Sequence, residues 1–158
     1  MTKVVAVIVG MDHVALSVSS LERSIDFYRD IMGLELQRVI ECPPETLLGR
    51  VAGIPGCSAR IAHLASAAPL EQPGGKPGVM LELFEYQAPR GRAIPSERKQ
   101  ADLGFTHVGF ATTDARAEYE RLREHGVEFF SEPIEFRPGV WLFYFYGPDG
   151  EVCELRES

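Results

Sequence analysis

Apolar positions recur at helical spacing in two stretches of the chain and at strand spacing around them. Leu21, Ile25, Tyr28, Ile31 and Met32 form one stripe; Ala117, Tyr119, Leu122 and His125 form the other. Each leaves a charged outer face, as an amphipathic helix does. Ser19-Ser20 and Thr113-Asp114 offer side-chain oxygens to the orphan amides of a first turn. Gly33 and Gly126 can take the left-handed conformation that ends a helix. Strand-like segments follow each stripe: Leu34–Glu41, Ser58–Ala65 and Val79–Tyr86 in the first half, Val127–Phe136, Val140–Tyr146 and Glu151–Arg156 in the second. Pro and Gly punctuate the gaps.

The two halves read alike. Met11-Asp12-His13-Val14-Ala15-Leu16-Ser17-Val18 opens the first, and Phe105-Thr106-His107-Val108-Gly109-Phe110-Ala111-Thr112 opens the second. His13 and His107 are 94 residues apart, and Gly33 and Gly126 are 93 apart. The last strands also match, Leu81-Glu82-Leu83 against Cys153-Glu154-Leu155. The pattern predicts two β-α-β-β-β modules, about 11–88 and 103–157, joined by a Pro- and Arg-rich linker over 89–102, within one domain spanning 1–158. The first module is longer by two loop inserts, around Pro43–Gly56 and Ser66–Gly78.

Composition narrows the class. With 158 residues, 45% hydrophobic and 25% charged, the chain has the makings of a soluble globular protein with its own core. A net charge of −7 without a basic block argues against a nucleic-acid partner. No apolar run approaches the ~20 residues that span a bilayer, and Lys3–Val9 reads as a leading strand or arm. The three cysteines, Cys42, Cys57 and Cys153, have no CxxC spacing, which fits a reducing compartment and a cytoplasmic location.

The repeat places His13 and His107 at equivalent positions on first strands, and Glu82 and Glu154 at equivalent positions on last strands. Two imidazoles and two carboxylates suit a divalent ion of the Zn²⁺, Ni²⁺, Co²⁺, Mn²⁺ or Fe²⁺ group. Glu82 shares its strand face with Met80 and Phe84, and a carboxylate on an apolar face is costly unless it is paired or metal-bound. His63 lacks a counterpart in the other half. It reads as mainly structural, with a lesser role lining the pocket. His125, at a helix C-terminus where a cation would suit the helix dipole, reads as structural.

These pieces, with Ser24-Ile25-Asp26-Phe27-Tyr28 leading to Gly33-Leu34 and the turn Gly147-Pro148-Asp149-Gly150 before Glu151-Val152-Cys153-Glu154-Leu155, resemble the vicinal oxygen chelate superfamily. Its members include glyoxalase I, methylmalonyl-CoA epimerase, extradiol dioxygenases and bleomycin resistance proteins. The resemblance covers about Met11 to Glu157. It implies an α+β fold in which tandem βαβββ modules form a curved mixed-sheet cup, usually in a homodimer. It implies that His13, Glu82, His107 and Glu154 hold one divalent metal, and that a small substrate fills the remaining positions with two adjacent oxygens. It implies a lyase or isomerase of glyoxalase I type, with Glu154 taking a proton next to a carbonyl and Glu82 as the partner acid/base. Arg38 matches a place where a basic residue can hold a substrate carboxylate, and His63 and Trp141 are further candidate substrate contacts. The alternatives are an epimerase-like racemase, an extradiol-type dioxygenase with two His and one carboxylate, and a non-catalytic drug-binding protein.

Overall fold

In the computed structural model the described residues are 10–66 and 79–157. The leading segment Lys3–Val9 and nearly all of the insert around Ser66–Gly78 lie outside them. The order is β1 (His13–Ser17), α1 (Leu21–Ile25) running on into a π-helical turn (Asp26–Ile31), β2 (Leu34–Cys42), α2 (Leu48–Val51), β3 (Ser58–Ser66) and β4 (Met80–Ala88). Then come β5 (Val108–Thr112), α3 (Ala115–Glu124), β6 (Ile134–Arg137), β7 (Val140–Tyr146) and β8 (Val152–Glu157).

The strands divide into two four-stranded mixed sheets, β1-β4-β3-β2 and β5-β8-β7-β6. In each, the first strand pairs in parallel with the last, and the other pairings are antiparallel. The sheets have the same topology, as a repeated β-α-β-β-β order requires.

The helix signals act where the residues placed them. Ser20 caps α1, its side chain accepting from the Arg23 amide, and Asp114 caps α3, accepting from Ala117 at 2.9 Å. Gly33 and Gly126 sit at φ +78° and +75°, conformations an L side chain rarely adopts. The π-helical turn carries an i→i−5 bond from Met32 to Phe27 at 2.9 Å, and its wider turn buries two consecutive aromatics, Phe27 and Tyr28.

Two segments differ from the sequence expectation. The strand expected over Val127–Phe136 is reduced to Ile134–Arg137, with only an isolated bridge from Phe129 to Phe145 before it. Pro133, which has no amide to donate, separates the two. The insert around Pro43–Gly56 contains the short helix α2, which the residue pattern did not signal. There Gly49 fits because a Cβ would stand 2.8 Å from the Ile54 carbonyl oxygen.

One hydrophobic cluster joins the halves. Leu21, Ile25, Phe27 and Tyr28 meet Ala62, Leu64, Leu81 and Leu83 of the first sheet, and Ala115, Leu122, Phe143, Phe145, Cys153 and Leu155 of the second half. Both sheets thus turn their helix-covered faces to a shared core. Because successive strand residues point to opposite faces, Glu82 (between Leu81 and Leu83) and Glu154 (between Cys153 and Leu155) lie on the outward faces.

Polar contacts lock the seam between the halves. Tyr28 donates its hydroxyl to Glu151 at 2.7 Å, the Ser19 amide donates to Asp149 at 2.7 Å, and Arg23 pairs with Asp149. Arg121 donates to the Ile31 carbonyl at 2.6 Å. Among the described residues no helix is long and apolar enough to cross a membrane.

Candidate metal centre

The strand register builds the same half-site twice. On the first sheet β1 and β4 pair so that Ala15, two residues after His13, lies beside Glu82. On the second, Gly109, two residues after His107, lies beside Glu154. Each glutamate is therefore one diagonal step from its histidine on the same face, and each imidazole Nε2 stands 3.6 Å from a carboxylate oxygen.

The other ring nitrogen is occupied in both halves by the preceding residue. His13 Nδ1 is 3.0 Å from an Asp12 carboxylate oxygen, and His107 Nδ1 is 3.0 Å from the Thr106 hydroxyl. Asp12 holds the His13 imidazolium above its usual range, chiefly through this hydrogen bond, with a smaller contribution from the charge of Glu82 and with burial opposing. Neither orienting residue was singled out in the sequence, although their place immediately before each repeated histidine was the available signal.

The donor geometry fits a dication. A separation of 3.6 Å is too long for a good N–H···O hydrogen bond. It is close to the ~3–3.5 Å between two ligands that each bind one ion at about 2.0–2.2 Å. Both Nε2 atoms face the carboxylates, while Nδ1 is held by an outer partner, the arrangement that orients a metal-binding imidazole.

Within one chain, however, the two pairs belong to the outward faces of different sheets. Among the described residues, no group of three or more His, Cys, Asp and Glu side chains is arranged to hold a metal ion. His13 is 43% exposed at its side chain and His107 28%, against 11% for Glu82 and 15% for Glu154.

The residue across from each glutamate differs between the halves. His63 on β3 lies opposite Glu82, and Tyr144 on β7 lies opposite Glu154, so Tyr144 is the counterpart of His63 that the sequence did not reveal. His63 is buried, with Nε2 3.3 Å from the second Glu82 oxygen, and its Nδ1 accepts from Arg38 Nε at 3.2 Å. Tyr144 lies beside Glu154 across the β7–β8 ladder and packs on the His107 ring at 4.8 Å between centroids. Burial, and then the charge of Glu154, push its phenol above the ordinary value.

Of the candidate substrate contacts, Arg38 and His63 thus stand together beside Glu82. Trp141 does not join the site. It packs against the shared core with the Arg116 guanidinium 4.0 Å over its ring. Beyond Tyr144 the outward face of the second sheet is aromatic and open: Phe130 stacks on Tyr146 at 4.6 Å, with 45% and 39% of each exposed. An open groove of about 1170 Å³ lies elsewhere, on the seam between the halves, and contains neither pair.

Known proteins bear on this geometry. A family profile described as Glyoxalase/Bleomycin resistance protein/Dioxygenase superfamily matches residues 10–155. A 2-epi-5-epi-valiolone epimerase from an Actinomyces species is 30% identical over 157 residues, covering 93% of this chain and 78% of that one. An iron-dependent extradiol dioxygenase from Rhodococcus jostii is 37% identical over 81 residues, 47% of this chain and 26% of that one. The crystal structure of a glyoxalase family protein from Bacillus cereus superimposes with a TM-score of 0.82 at 27% identity, covering 99% of this chain and 97% of the other.

Proposed function

This chain belongs to the Glyoxalase/Bleomycin resistance protein/Dioxygenase superfamily, and on that premise we propose that it is a divalent-metal-dependent lyase or isomerase that moves a proton on the carbon next to a carbonyl of a small chelating substrate. The observation that carries this reading is the doubled half-site: His13 with Glu82 and His107 with Glu154, each Nε2 3.6 Å from its carboxylate and each Nδ1 held from behind. Zn²⁺, Ni²⁺, Co²⁺, Mn²⁺ and Fe²⁺ all suit this donor set.

The two pairs lie on different outward faces, so the complete centre belongs to a homodimer in which the first module of one copy faces the second module of the other. The exposed Phe130, Ile134, Phe136 and Tyr146 of the second module support this, because so much apolar surface is better covered than wet.

His13, Glu82, His107 and Glu154 would hold one divalent ion, which would supply Lewis acidity to a chelating substrate. The chain's own groups carry the proton. Glu154, beside the Tyr144 hydroxyl, takes it from carbon, and Tyr144 steadies the carboxylate in the receiving position. Glu82, on the other half-site, serves as the second acid/base when the proton is returned from the opposite side. A relative named as an epimerase over 93% of this chain favours isomerisation over a net lyase reaction. The dioxygenase alternative is weakened because Glu82 adds a fourth ligand to the two histidines and one carboxylate of a facial triad.

The test mixes two inactive variants. His13→Ala and His107→Ala each lose one half of every site. In a shared-site dimer, random remixing makes half the dimers heterodimeric, each with one intact site, so tight metal uptake returns to about a quarter of the wild-type level. No return on mixing rejects the shared centre, and undiminished metal in both single variants rejects the ligand set.

A further inference from the structure

The first half-site holds a histidine that looks like a third ligand. His63 Nε2 is 3.3 Å from Glu82, nearer than the 3.6 Å of His13, and its side chain is 8% exposed. Its chemistry is decided by the residue behind it. Arg38 Nε stands 3.2 Å from His63 Nδ1. A guanidinium N–H only donates, so Nδ1 must be the bare, accepting nitrogen of the ring. The neutral ring then carries its proton on Nε2, the atom that faces Glu82.

We propose that Arg38 and His63 are positioning residues: Arg38 fixes His63 in its Nε2–H form, which bars it from metal coordination and makes it a donor that anchors the Glu82 carboxylate. The inference rests on the reading of Glu82 as a metal ligand. One Glu82 oxygen stands 3.3 Å from His63 Nε2 and the other 3.6 Å from His13 Nε2. The bulge in β2 between Leu36 and Arg38 is what brings this about, because it sets Arg38 opposite His63 in the ladder. The second half-site has no such relay. There a phenol takes the place of the imidazole, and the residues behind it are aromatic, Phe130 lying 6.0 Å from the Tyr144 ring. Glu82 is therefore the carboxylate held the more firmly of the two, and Glu154 the one better placed to take the first proton, with Glu82 returning it.

Long-range proton–nitrogen spectra of the full-length, metal-free protein test this without reference to activity. His63 is expected to show an unprotonated Nδ1 and a protonated Nε2; a protonated Nδ1 overturns the proposal. In Arg38→Met the two tautomers are expected to mix, and an unchanged His63 spectrum there also overturns it. On titration with Zn²⁺ the rings of His13 and His107 should shift while His63 keeps its Nε2 proton; loss of that proton would make His63 a ligand and refute the relay. His63→Leu is expected to weaken Zn²⁺ binding by about 10- to 100-fold, the range for outer partners of metal ligands. His63→Gln, which keeps an N–H donor, should restore most of that loss, and equal affinities for the two variants count against the relay. If the wild type binds no Zn²⁺ at all, the metal reading fails while the tautomer result stands on its own.

Discussion

At the scale of single residues, the site depends on which nitrogen of each imidazole is free. Asp12 and Thr106 occupy the Nδ1 atoms of His13 and His107, so Nε2 is the one presented. Asp12→Ala and Thr106→Val are each expected to lower metal affinity by about 10- to 100-fold without unfolding the chain, measured by competition with a chromogenic chelator. Unchanged affinity in both would mean that the rings are held by their strands alone. The four candidate ligands were legible in the sequence because the repeat kept their residue types, His with His and Glu with Glu. The equivalence of His63 and Tyr144 was not legible, because it is a relation of register across paired strands and the two residues share no chemistry that a sequence comparison would notice.

At the scale of elements, capping residues and punctuating glycines decide where the helices begin and end, and these are local signals that a sequence displays. Asp114→Ala removes the side-chain acceptor for the Ala117 amide, so it should cost about 1 kcal/mol, read as a lower urea midpoint at unchanged slope. A loss near zero would place the stability of α3 in its packing. What the sequence concealed is long-range. The shortening of β6 to Ile134–Arg137 reflects whether Phe129 and its neighbours find a partner strand, and only an isolated bridge to Phe145 forms. In the short helix α2, Gly49 likewise answers to a fit beyond the helix itself, since the Ile54 carbonyl leaves no room for a side chain there.

At the scale of the whole molecule, each apolar stripe announces that a helix face is buried, but not that both halves bury theirs in one cluster. That arrangement turns the histidine faces outward. It also closes the seam over Glu151, whose carboxyl burial raises above its ordinary 4.5, with the Tyr28 hydrogen bond opposing. The folded protein therefore binds that proton more tightly than the unfolded chain, so the group's stabilising contribution is complete below its ordinary value and is lost as pH rises through the raised one. Relative to Glu151→Gln, the wild type should lose stability as pH rises from the carboxyl's ordinary 4.5 through the raised value, read as a falling urea midpoint. Parallel pH profiles would show that the seam does not sense this carboxyl. The doubled register has one more consequence. A centre with true two-fold symmetry treats the two sides of a flat carbon alike. The imidazole across from Glu82 and the phenol across from Glu154 break that equivalence, as do Asp12 and Thr106 behind the two histidines, so in the proposed centre the two sides of a bound carbon would meet unlike partners.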